Sequence, residues 1–262
     1  MREIGGLAMR VAAVQHDIVW SDREANFAAL ESLIARAAGN GARLIVLSEM
    51  FSTGFVVDRD DIAEPEGGPS SAFLARMAER HRTWVCGSCP ERAGDDPRPY
   101  NSLVLASPDG RIHRYRKIHR FTYGGEDLHF RPGDATLTVE IEGVRTTFFV
   151  CYDLRFANEF WDLARDTDLY VVPANWPESR REHWMALLRA RAIENQAYVI
   201  GCNRVGNGGG LHYVGDSMVI DPLGTVLAVG DDRSGILEAD VDPGHVAAVR
   251  ERYPFLDDRD RH

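Results

Sequence analysis

The 262-residue sequence predicts an α/β fold built on a mixed sheet, or on two stacked sheets, with helices on the outside. Three observations predict it. Short runs such as 11–15 and 44–48 have the near-continuous apolar character of strands covered on both faces. Stretches with helical spacing stand between such runs. Tight-turn sequences join other strands into hairpins, which an all-parallel sheet does not allow.

Order begins at Arg10, because residues 1–8 have no period and read as a flexible extension of a single domain spanning 1–262. Residues 11–15 form a strand. Ser21-Asp-Arg-Glu24 is a capping box ahead of a helix whose Phe27, Leu30, Leu33, Ile34 and Ala37 share one face, and Gly39 and Gly41 bracket its stop. After the strand 44–48, Ser70 or Ser71 caps a helix to about residue 82, and strands 83–89 and 101–106 follow. Ser107-Pro-Asp-Gly110 turns the chain back through 111–115. A second hairpin, 136–141 with 145–151, turns on Glu142-Gly143. A helix over 158–165 leads to the strand 168–173 and then to a long helix, 180–195, with Trp184, Leu187, Leu188, Arg191 and Ala192 at helical spacing. Strands 197–203, 216–220, 225–229 and 235–239 complete the pattern, with Asp221-Pro-Leu-Gly224 as a turn. The tail, 241–262, is too polar to form a core alone.

Forty acidic against thirty basic residues give a formal charge of −10, which repels phosphate backbones and anionic membranes, so nucleic acid and membrane are not expected partners. The N-terminal ten residues carry charges where a signal peptide needs an apolar core, and no apolar run reaches the roughly 20 residues of a membrane span. A cytoplasmic protein is expected, with its four cysteines as thiols.

The run Thr146-Thr-Phe-Phe-Val-Cys151 ends on a thiol followed by polar residues, so it is read as a strand that delivers Cys151 to the mouth of a sheet. Backbone N–H groups of the next turn point the same way. Glu49 ends the run 44–48, and Lys117 lies in Arg114-Tyr-Arg-Lys-Ile-His119. A cysteine nucleophile needs a route to the thiolate and a proton for its leaving group, and a carboxylate and an ammonium beside the sulfur supply both. Each residue also has a plainer reading: Cys151 as a buried small hydrophobe, Glu49 as a loop carboxylate, Lys117 as part of a solvated basic face.

Residues 10–240 resemble the nitrilase superfamily of carbon-nitrogen hydrolases, in four ordered stretches: Leu44-Ile-Val-Leu-Ser-Glu-Met-Phe51, Tyr115-Arg-Lys-Ile-His119, Cys151-Tyr-Asp-Leu-Arg-Phe156 and Ala190-Arg-Ala-Ile-Glu-Asn-Gln-Ala-Tyr198. The resemblance implies an α-β-β-α sandwich with no cofactor and no metal. It implies Glu49 as general base, Lys117 on the carbonyl oxygen, Cys151 as the acylated nucleophile and Glu126, in Gly124-Gly-Glu-Asp127, as an orienting carboxylate. It also implies a homodimer, with the tail from about residue 240 at the interface.

Tyr152-Asp-Leu-Arg-Phe156, Asn175-Trp-Pro177 and Gly201-Cys-Asn-Arg-Val-Gly206 look like the ω-amidase branch, which hydrolyses the terminal amide of 2-oxoglutaramate or 2-oxosuccinamate. Such a substrate needs a cation for its remote carboxylate. Arg155 is placed to fork onto it, its competing reading being an ion pair with a nearby acid. Trp176 walls the pocket or fills the core, and the Tyr152 N–H is a second oxyanion donor. Arg180 and Arg181 are alternatives for that carboxylate, though at a helix start they are expected to be solvated, and His183 is a candidate pocket residue. Nitrilase and N-carbamoyl amino acid hydrolase are the alternatives within the family. From other classes, Cys86-Gly-Ser-Cys89 has the spacing of a dithiol redox pair, and a catalytically silent binding protein would lack one of the triad. Residues 206–210 read as a flexible glycine-rich loop, and the histidines show no ligand spacing.

Overall fold

The structure, a computed structural model, describes residues 8–260, so the expected extension lies outside the described residues but for Ala8. The chain begins β1 (Met9–Gln15), α1 (Arg23–Gly39), β2 (Leu44–Leu47), β3 (Glu64–Pro65), α2 (Pro69–His81), β4 (Trp84–Arg92), β5 (Tyr100–Ala106) and β6 (Ile112–Arg116). It continues through α3 (Glu126–His129), β7 (Leu137–Ile141), β8 (Val144–Phe148), α4 (Ala157–Asp162), β9 (Leu169–Pro173), α5 (Arg181–Asn195) and β10 (Tyr198–Cys202). β11 (Val205–Gly208), β12 (Leu211–Val214), β13 (Met218–Ile220), β14 (Val226–Val229), β15 (Gly235–Val241) and α6 (Pro243–Arg252) follow.

There are two large sheets, ordered β15-β1-β2-β4-β5-β6, with β3 beside β4, and β14-β13-β10-β9-β8-β7. Each holds a parallel triplet, β1-β2-β4 or β8-β9-β10, extended by antiparallel strands. Parallel neighbours need crossover helices, and a common crossover hand puts those helices on one face. The other face of each sheet is left apolar, and the two meet. Val11, Ala13, Leu44, Val46 and Cys86 join a buried cluster with Phe148, Val171 and Ile200, whereas Ala12, Val14, Ile45, Leu47 and Cys89 pack with Leu30, Ile34, Phe73 and Leu74 of α1 and α2. On the far side Trp184 and Leu188 of α5 press on β10, so closely that a Cβ at Gly201 would sit 2.5 Å from Leu188. The fold is the α-β-β-α sandwich.

The same alternation disposes of the dithiol. Cys86 and Cys89 are an odd number of residues apart on β4, so their side chains enter opposite faces, and both are buried free thiols.

Several local expectations are corrected. The cap of α1 is Asp22, which accepts from the Ala25 N–H at 3.0 Å, while Ser21 adopts φ 59° and donates its N–H to Thr53 O. α2 is capped at Gly68; Ser70 and Ser71 lie in its first turn and bond to the carboxylates of Glu64 and Glu91, which bring negative charge to the helix N-terminus. Residues 206–210 are not a loose loop, because β11 and β12 pair as a hairpin turned on Gly209 and Gly210, both at positive φ. The tail makes α6, which buries Val246 and Val249 on its own chain, and Arg250 donates to the carbonyls of Ala164 and Thr167. Among the described residues no helix is long and apolar enough to cross a membrane.

The carboxyl ends of β2, β6, β8 and β9 converge, and Gly133 fixes one of them. Its N–H donates to Lys117 O at 2.8 Å, and a Cβ there would fall 1.9 Å from Arg116 O. Gly133 is needed for space. Gly133→Ala is expected to lower stability by about 3 kcal/mol or more and to displace the Lys117 segment. A Tm equal to that of the unaltered protein would refute this.

Candidate active site

Glu49 lies two residues past the end of β2, and the chain turns at Met50, whose φ is 45° and whose N–H donates to Ser88 Oγ. Lys117 follows β6, and Glu126 opens α3. Cys151 departs from expectation: the ladder of β8 stops at Phe148, and the cysteine begins a short 3₁₀ turn, Cys151–Arg155, at φ 45°. That left-handed backbone is uncommon for a residue with a Cβ. Asp153 holds it. The buried Asp153 carboxylate accepts from the Val150 N–H at 2.9 Å, the His119 N–H at 2.8 Å and the Tyr115 hydroxyl at 2.8 Å, tying the cysteine turn to the lysine segment.

Three charges meet beside the thiol. Lys117 Nζ lies 2.9 Å from Glu49 Oε1 and 2.8 Å from Glu126 Oε2, with all three side chains 0–1% exposed. Asn101 Nδ2 donates to both carboxylates, at 2.8 and 3.0 Å, while Asn175 N–H donates to Glu49 Oε2 at 2.9 Å and Phe121 N–H to Glu126 Oε2 at 2.6 Å. A buried charge survives when paired and fully bonded, and these are. Cys151, by contrast, is partly exposed.

Burial works against the Lys117 ammonium, but Glu126 and then Glu49 outweigh it and hold its pKa above the ordinary lysine value. Burial pushes the Cys151 thiol well up, the Glu49 carboxylate beside it adds to the shift, and Lys117 opposes it. The resting sulfur is therefore a thiol. Burial also raises Asp153, to about 6, against the opposing pull of Lys117 and its N–H donors.

Tyr152, Arg155, Asn175 and Trp176 line one small pocket, open to solvent on one side, with Phe121, Pro177 and Arg180. Trp176 has both expected roles, being buried against Trp184 and lining the pocket. The guanidinium of Arg155 lies 4.7 Å over the Trp176 ring and 3.2 Å from His183 Nδ1, and among the described residues no carboxylate pairs with it. His183 is exposed and abuts Arg155. Arg181 is not merely solvated, since it forks onto Asp216 at 2.6 and 2.8 Å. Arg180 is a pocket residue, its guanidinium 5.4 Å from the Phe121 ring centre.

Sequence reasoning passed over Asn101, Asp153 and Phe121, and it ranked Arg180 as solvated rather than as the pocket residue it is. An asparagine inside the apolar run 100–106 was the available signal for Asn101; Phe121 contributes a backbone N–H, which leaves no mark in a sequence.

Residues 10–251 match the family model described as carbon-nitrogen hydrolase. The chain is 36% identical over 261 residues to the omega-amidase YafV of Escherichia coli strain K12, covering 96% of this chain and 97% of that one. It is 34% identical over 254 residues to the 2-oxoglutaramate amidase of Bacillus subtilis, with 95% and 96% covered. Among solved structures it resembles XC1258 from Xanthomonas campestris, a CN-hydrolase superfamily protein with an arsenic adduct in its active site, at a TM-score of 0.91, 36% identity and 97% coverage of both chains. With the sandwich, the convergent strand ends and a family match over nearly its whole length, this chain belongs to the carbon-nitrogen hydrolase family.

Proposed function

We propose that this protein is an ω-amidase, a hydrolase of linear amides that releases ammonia from the terminal amide of a short 2-oxo acid, 2-oxoglutaramate or 2-oxosuccinamate. The observation that carries the reading is the Cys151 thiol set beside the buried Glu49 and Lys117. The names of the relatives from Escherichia coli and Bacillus subtilis support the substrate class.

Because burial and Glu49 hold the sulfur protonated, attack requires a base as the bond forms. Glu49 takes the thiol proton while Cys151 Sγ adds to the amide carbon, and Lys117 with the Tyr152 N–H holds the developing oxyanion. Collapse breaks the C–N bond, Glu49 returns the proton to nitrogen, and ammonia leaves a thioester. Water gives a proton to Glu49 and adds to the thioester carbon, and the departing sulfur recovers that proton as the acid is released. Glu126 and Asn101 orient Lys117 and Glu49. Arg155, free of any carboxylate partner among the described residues, receives the remote carboxylate of the substrate.

We also read the protein as a cytoplasmic homodimer with 240–262 at the interface. The exposed ring of Phe255, beyond α6, supports a contact there.

Cys151→Ala is expected to abolish ammonia release, and Glu49→Gln to lower kcat by about 10³-fold or more. Assays of 2-oxo acid amides, aliphatic nitriles and N-carbamoyl amino acids side by side should give the highest kcat/KM for the first group, and a nitrile or carbamoyl substrate in first place would displace the reading. Asp153 is protonated in the folded state below about pH 6, against an ordinary 3.8. A raised folded pKa means that its stabilising contribution is full below its unfolded value and is lost as pH rises through about 6. Protonation withdraws an acceptor from the cysteine turn, so kcat/KM should fall as pH drops through about 6, with that limb absent in Asp153→Asn. An Asp153→Asn profile that keeps the limb would assign it elsewhere. Light scattering should give twice the mass of the chain, and the single mass would exclude the dimer.

A further inference from the structure

We propose that Arg180 is a specificity-determining residue that reads the 2-oxo group and makes the site select 2-oxo acid amides over the corresponding amino acid amides; this rests on the ω-amidase reading. The pocket has a reacting end and a charged end. Asn175 marks the first, since its N–H donates to Glu49 Oε2 and its side chain to Glu49 O. Trp176 builds the second. Its ring carries the guanidinium of Arg155 at 4.7 Å, and its indole N–H donates to Arg180 O at 2.7 Å, so one side chain sets both arginines in a single frame. Arg180 then lies against Phe121, on the same pocket.

Neither arginine has a carboxylate partner among the described residues, whereas the adjacent Arg181 is neutralised by Asp216. Two uncompensated guanidiniums around one small pocket exceed what a single carboxylate needs. A 2-oxo acid amide offers a carboxylate to one and a carbonyl oxygen, an acceptor, to the other. Glutamine or asparagine would place an ammonium where that carbonyl lies, meeting like charge. The second cation therefore rejects amino acids and rewards the 2-oxo group.

The test compares kcat/KM for ammonia release from 2-oxoglutaramate, glutaramate and glutamine in the unaltered protein, Arg180→Gln and Arg180→Lys. Arg180→Gln keeps the backbone bond from Trp176, and ratios between substrates do not depend on the folded fraction. In Arg180→Gln, 2-oxoglutaramate should lose about 10-fold or more beyond the loss with glutaramate, and the preference for 2-oxoglutaramate over glutamine should fall by at least about 10-fold. Arg180→Lys, which keeps the charge without the fork, should go on rejecting glutamine. Equal losses on all three substrates, or an unchanged preference over glutamine, would overturn the role of Arg180 alone. An unaltered protein that hydrolyses none of the three while cleaving a nitrile or a carbamoyl amino acid would overturn the ω-amidase reading and this inference together.

Discussion

The buried contact of Lys117 with Glu49 and Glu126 is the constraint on which the rest of the site depends. One ammonium and two carboxylates, all 0–1% exposed, are tolerable only while every oxygen and hydrogen is matched, because an uncompensated buried charge costs several kcal/mol, roughly 3–5 by analogy with broken buried pairs. The matching groups come from all over the chain: Asn101 from β5, Asn175 after β9, the Phe121 N–H from the turn before α3. Each must be placed to within a few tenths of an ångström, so the cluster binds the two sheets to one geometry at their carboxyl ends.

Two left-handed residues, Met50 and Cys151, stand at those ends. Their strain is held by hydrogen bonds, Ser88 to the Met50 N–H and Asp153 to the Val150 N–H before the cysteine and to the His119 N–H. The arrangement turns the chain sharply after each strand and puts the carboxylate and the thiol on one side. Asp153 has a double part in this, since it braces the cysteine turn and sits where burial brings its titration toward neutrality.

The pocket is built with the opposite charge logic. At the cluster, cations and anions compensate; at the far wall, Arg155 and Arg180 rest on aromatic faces, which hold a guanidinium in place without neutralising it. The proposed substrate, short and anionic, would lie between a balanced charge system and an unbalanced one.

The strands, helices and hairpins were legible because apolar period and turn residues are local properties, and the Ser107–Gly110, Glu142–Gly143 and Asp221–Gly224 turns sit where the sequence places them. Glu49, Lys117 and Cys151 could be named because each ends a recognisable run in an ordered set of motifs. Caps misread as Ser21 and Ser70 depended on partners far off in sequence, Thr53 O and Glu64, that no local pattern reveals. By itself the sequence determined the elements, the family and the three residues proposed to react. Only the tertiary structure decided how the strands are ordered in the two sheets, that Cys86 and Cys89 face apart, that Asn101 and Asp153 bond within the site, and that Arg180 reaches the pocket beside Arg155. These depend on which face a side chain takes and what meets it from across the sandwich, and that is fixed by packing between segments rather than within them.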